Sequence, residues 1–125
     1  MSQCWSNITI ICNEDELITL IQNELMYLNI KNKLLFHDHI TVLKQCNKAI
    51  KIKVLSLTKP HFQWMSNMIR KYKSCWIKNN WYDEDGFSGI WIGNMTDRGP
   101  NIIDYQWCDL SVEEEKSYFN SSDNP

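Results

Sequence analysis

Two stretches of this chain alternate apolar and polar residues with a period of two, and each runs into a stretch of helical period. Residues 4–12 (CWSNITIIC) set Cys4, Ile8, Ile10 and Cys12 on one face of a strand and Trp5, Asn7, Thr9 and Ile11 on the other. Residues 49–57 (AIKIKVLSL) set Ile50, Ile52 and Val54 against Lys51, Lys53 and Leu55. A slip of one residue would exchange the two faces, so each segment reads as a strand with one side committed to a core.

After the first strand, Asn13 is suited to cap a helix and Glu16 stands at its third position. The acids of Asn13-Glu14-Asp15-Glu16 favour the positive helix end. Leu17, Leu20, Ile21, Leu25 and Leu28 continue at helical spacing, which predicts an amphipathic helix of about four turns. Leu34-Leu35-Phe36 reads equally as strand or loop, residues 39–45 (HITVLKQ) read as a strand, and Asn47-Lys48 as a turn. Pro60 fits the first turn of a second helix, with Phe62, Met65, Met68, Ile69 and Tyr72 as its buried face. Residues 74–82 and 87–94 flank Asp83-Glu84-Asp85-Gly86, a hairpin turn by composition. Residues 101–109 give a last strand, and Ser111-Val112-Glu113-Glu114 opens a short acidic helix.

The order strand, helix, strand, strand, helix, strand predicts an α+β fold: a ferredoxin-like split β-α-β with an extended antiparallel sheet and two main helices on one face. One domain over residues 1–119 and a disordered tail over 120–125 are expected.

Composition narrows the class. A hydrophobic content of 43% in 125 residues suits one folded domain and is too high for a disordered chain. No apolar run reaches the roughly 18–20 residues needed to span a bilayer. Met1-Ser2-Gln3-Cys4-Trp5 lacks the basic and apolar regions of a secretory signal, so an intracellular protein off the membrane is expected. The five cysteines form no C-x-x-C and leave an odd thiol, which fits buried thiols in a reducing compartment. Thirteen Asn, fifteen Ile and eleven Lys against a single Ala point to an AT-rich genome. The net charge of -2 conceals an uneven distribution: residues 31–81 hold eleven bases and one acid, between two acidic ends. A basic middle attracts phosphates unless the acidic ends fold beside it and neutralise it.

The segment from Lys59-Pro60 through Trp64, Tyr72, Trp76, Trp81-Tyr82, Glu84, Gly86-Phe87, Gly89 and Gly93 resembles the YubB ferredoxin-like domain family, whose members are encoded by plasmids, phages and large DNA viruses. Asn7-Ile8-Thr9-Ile10 resembles the family's W-C-x-N-x-hydrophobic opening, with Cys4-Trp5 in reversed order, and the family's Trp-x-Pro-Pro is reduced to Thr58-Lys59-Pro60. The resemblance lies mostly in residues 50–94. It implies the ferredoxin-like fold and a viral or mobile-element protein of host cytoplasm or virion, and it supplies no catalytic residue.

Catalytic motifs are absent. His37-Asp38-His39 offers two ligands on one strand face without a third, so an exposed polar loop is the simpler reading. Asp83–Gly86 fails as a calcium loop because position 94 is Asn. There is no phosphate-binding loop or nucleophile elbow, and Cys46 and Cys75 carry no nucleophile signature, so inert burial is expected for both. No catalytic residue, cofactor or metal is expected.

Six tryptophans exceed ordinary core needs. A four-residue turn at Asp83–Gly86 pairs Lys78 with Trp91 and Ile77 with Ile92. It turns Cys75, Ile77, Ile90 and Ile92 toward the helices and sends Trp76, Lys78, Tyr82, Phe87 and Trp91 to the side away from them, with Lys51 and Lys53 beside them. Final strands, a partner protein or a second copy would cover such a face. The expected role is therefore a non-catalytic interaction or structural module that binds a protein partner through Trp76, Lys78, Tyr82, Trp91, Lys51 and Lys53. The alternative is single-stranded nucleic acid, with the aromatics stacking on bases and the lysines meeting phosphates.

Overall fold

Both alternating stretches are strands in the computed structural model, which describes residues 3–26, 39–56 and 60–108. In chain order the elements are β1 (Cys4–Ile11), α1 (Glu14–Leu20) running into a π-helical turn (Ile21–Met26), β2 (His39–Gln45), β3 (Ala49–Ser56), α2 (Phe62–Lys71), β4 (Trp76–Asp83), β5 (Phe87–Thr96) and β6 (Gly99–Cys108). The strands form one six-stranded sheet in the order β2-β3-β1-β4-β5-β6, with every neighbouring pair antiparallel. The result is an α+β fold with two helices. Residues of both helices join one hydrophobic core on one side of the sheet.

The even-numbered positions of β1 and β3 face that core. Ile8, Ile10, Ile50, Ile52 and Val54 are buried there against Leu17, Leu20 and Leu25 from the first helix. Leu25 lies five positions after Leu20, and the wider π turn returns it to the core. The face also holds polar groups: Asn79 is buried and its Nδ2 donates to Ser6 Oγ at 3.2 Å.

Asn13 caps α1 as its sequence suggests, its Oδ1 accepting the Glu16 N–H at 3.0 Å. Glu16 does not close a capping box. Its carboxylate accepts the Ser74 N–H at 2.8 Å, while the Asn13 N–H donates to Ser74 Oγ at 3.0 Å. The helix start is thereby tied to the entry of β4.

Pro60 stands one residue before the cap, His61, instead of inside the first turn of α2; its carbonyl accepts the Phe62 N–H at 3.0 Å. Met65, Met68, Ile69 and Tyr72 are buried as expected, together with Trp64, and Phe62 is only partly buried. The two helical segments meet at Glu24, which accepts from the Tyr72 hydroxyl at 3.4 Å and pairs with Lys71 at 3.7 Å. Among the described residues no helix is long and apolar enough to cross a membrane. Leu28, Leu34–Phe36, the Ser111–Glu114 helix start and the 120–125 tail lie outside the described residues.

Candidate functional site

The hairpin joining β4 to β5 differs from expectation by one residue. Asp83 is the last residue of β4, and its Oδ1 accepts the Asp85 and Phe87 N–H groups at 2.9 and 3.0 Å. The loop is then Glu84-Asp85-Gly86, three residues, with Gly86 at a φ of 89° that glycine adopts without strain. An odd loop in place of an even one shifts the pairing. Ile77 faces Gly93, Lys78 faces Ile92, and Asn79 faces Trp91.

That shift corrects one predicted site residue. Trp91 points to the helix side, where it is 2% exposed. Ile90 and Ile92, expected beneath the helices, lie on the opposite face. Space for the indoles comes from glycine. A Cβ on Gly93 would stand 2.5 Å from the Trp91 ring, and one on Gly89 would stand 2.6 Å from the Trp81 ring. The signal available in the sequence is Gly89-x-Trp91-x-Gly93, small residues two positions either side of a large one on a single strand face.

The face away from the helices is ordered in rows that cross the strands. One row runs Leu55, Trp5, Tyr82, Ser88. The next runs Thr41, Lys53, Asn7, Asn80, Ile90, Tyr105. A third runs Lys44, Lys51, Thr9, Lys78, Ile92, Ile103, and a fourth Ile11, Trp76, Asn94, Asn101. Neighbouring rows are about 6.6 Å apart, two residues of strand rise. Lys44 reaches its row through an irregularity: the register jumps between Val42 and Lys44, which brings Lys44 opposite Lys51. Without that bulge Lys44 would fall on the helix side, so the bulge re-aims a charge.

Five of the six predicted residues, Trp76, Lys78, Tyr82, Lys51 and Lys53, therefore share this open face. Lys51 and Lys53 are exposed, Lys78 and Trp76 partly so, and Tyr82 is 44% exposed. Trp5, outside the set expected from the sequence, stacks on Tyr82 with ring centroids 5.1 Å apart and planes 17° from parallel. The missed signal was the cross-strand pairing of Trp5 with Tyr82, which appears only when β1 lies beside β4. Asn7 and Asn80 stand side by side and, with Tyr82, Ser88 and Ile90, line a shallow hollow of about 330 Å³. A second hollow of about 190 Å³ includes Thr9, Lys44 and Lys51. Across all these rows, no described side chain is a carboxylate.

Other features do not assemble chemistry. A cleft of about 390 Å³ between α1 and the β2–β3 turn contains one carboxylate, Glu14, and the Cys46 thiol. Cys46 is exposed, not buried as expected, because it follows the end of β2 in the turn. Among the described residues no three His, Cys, Asp or Glu groups converge on a point; His37 lies outside them. No family model, curated protein or solved structure matches this chain.

Proposed function

We propose that the protein is a non-catalytic binding module whose open sheet face takes a single-stranded nucleic acid. The observation that carries this reading is the charge of that face: Lys44, Lys51, Lys53 and Lys78 lie among aromatic and amide side chains with no described carboxylate between them. Lysines meet phosphates as point charges, while Trp5, Tyr82 and Trp76 offer ring faces to unstacked bases. The amides of Asn7 and Asn80 can both donate to and accept from base edges.

The strand order β2-β3-β1-β4, with a helix leading from β1 to β2 and another from β3 to β4, supports a ferredoxin-like reading of the core, to which β5 and β6 add two strands. The YubB-like residues and the Asn, Ile and Lys excess support a viral or mobile-element source.

The test is fluorescence anisotropy of labelled single-stranded oligonucleotides over a salt series. Binding should weaken steeply with salt, and each phosphate contact removed by Lys51→Ala or Lys53→Ala should flatten the logarithmic slope by about 0.7. Absence of binding at low salt overturns the proposal. A protein partner is the second reading, favoured by Ile103 and Tyr105, which are 41% and 64% exposed on the outermost strand. Partner capture that survives nuclease treatment and is lost in Tyr105→Ala supports it.

A further inference from the structure

Cys12 and Cys75 are the next residues along the β1–β4 ladder beyond its last pair, Ile11 opposite Trp76. The Cys12 N–H donates to the Lys48 carbonyl at 3.0 Å and the Cys75 N–H to the Tyr72 carbonyl at 2.9 Å. Neither amide is directed at the other residue, so the two stand as a non-hydrogen-bonded cross-strand pair. Such pairs hold their Cα atoms about 4.5 Å apart with side chains converging, within the range of about 4.4–6.8 Å that a disulfide spans. Both thiols are reduced and buried, 3% and 1% exposed.

We propose that Cys12 and Cys75 form a reversible oxidation site that closes to an intramolecular disulfide. The two thiols differ in acidity, which distinguishes their roles. The Cys75 S–H stabilises a thiolate at Cys12 and lowers the Cys12 pKa, while the same interaction and burial push the Cys75 thiol up. Cys12 is therefore the attacking sulfur. With hydrogen peroxide as oxidant, the Cys12 thiolate attacks one oxygen, the O–O bond breaks, and hydroxide leaves behind a sulfenic acid. The Cys75 sulfur then attacks Cys12 Sγ. The S–S bond forms as the S–O bond breaks, and the Cys75 proton leaves with the hydroxyl as water. Together with the proton first released by Cys12, two thiols and one peroxide give one disulfide and two waters. Peroxide is little larger than water, which suits a site this enclosed.

The surroundings favour closure without rearrangement. The segments after Cys12 and before Cys75 are already joined through Ser74, which bonds both Asn13 and Glu16. The new bond closes a loop containing α1, β2, β3 and α2, and so restricts the unfolded chain strongly.

The experiment treats the native full-length chain with peroxide, alkylates the remaining thiols in denaturant and maps peptides without reduction. A Cys12–Cys75 linkage in the monomer, with two fewer alkylated thiols, is expected. The thermal midpoint should rise by several degrees and return on adding a dithiol reductant. Cys12→Ser and Cys75→Ala should each abolish the linkage and the shift; should either fail to fold, the wild-type peptide map decides alone. Recovery of both residues as alkylated thiols while Cys46 is oxidised overturns the proposal, as does a linkage that forms only in unfolded protein.

Discussion

Along β3, Ile50, Ile52 and Val54 are almost fully buried under the helices, whereas Lys51 and Lys53 between them reach into solvent. The same contrast runs along β1, where Ile8 and Ile10 are enclosed and Asn7 is exposed. The covered face selects for volume and shape, since burying apolar area stabilises the fold by about 25 cal/mol per Å². The open face carries little of that burden. Its lysines, amides and stacked rings are therefore the residues on which the proposed binding rests.

The two tryptophans Trp91 and Trp5 break or sharpen this contrast most directly. Trp91→Ala should destabilise the protein by about 3–5 kcal/mol, the range for emptying a buried aromatic site. Trp5→Ala loses mainly a ring stack and should cost about 0.5–1.5 kcal/mol. Urea midpoints with unchanged slopes measure both, and equal losses would erase the distinction between the faces. Gly93→Ala should cost about 1–3 kcal/mol, because its new Cβ meets the Trp91 ring. Asn13→Ala should cost about 1 kcal/mol through the lost cap. Lys51→Ala and Lys53→Ala should change stability by less than about 0.5 kcal/mol while weakening oligonucleotide binding, a separation the covered face cannot show.

The smallest effect is pH-dependent. The Ser74 hydroxyl and backbone N–H, bonded to Glu16, hold its carboxyl below the usual carboxylate range. A depressed folded pKa gives stability that is present above the unfolded value and lost as pH falls through the folded one. Glu16→Gln should therefore be slightly less stable than the native chain at neutral pH, with the gap closing in acid. A gap that persists when both forms are uncharged would assign the effect to packing.

The strands, the first cap and the α2 stripe were legible because each rests on neighbours close in sequence. Period-two alternation located β1 and β3, and the buried set Met65, Met68, Ile69 and Tyr72 follows from helical spacing. Trp64 shares that helical face, four residues before Met68, and extends the expected set by one. The site was legible in five of its residues and not in Trp91, because the pairing of β4 with β5 depends on whether Asp83 belongs to the strand or the turn. That choice is made by its side chain, which bonds two amides of the loop. Lys44 was missed for a similar reason: its face is set by a bulge against β3, not by its own segment.

The three-residue loop at Glu84–Gly86 acts as a parity switch between insertion and substitution. Replacing Glu84 leaves the count odd and every side chain of β5 on its present side. Adding or deleting one residue makes the count even and offers Ile90 and Ile92 to the helices in exchange for Trp91 and its flanking glycines. Evolution on this hairpin is thus constrained in length more tightly than in composition, and relatives should differ here by substitutions or by paired insertions before they differ by one.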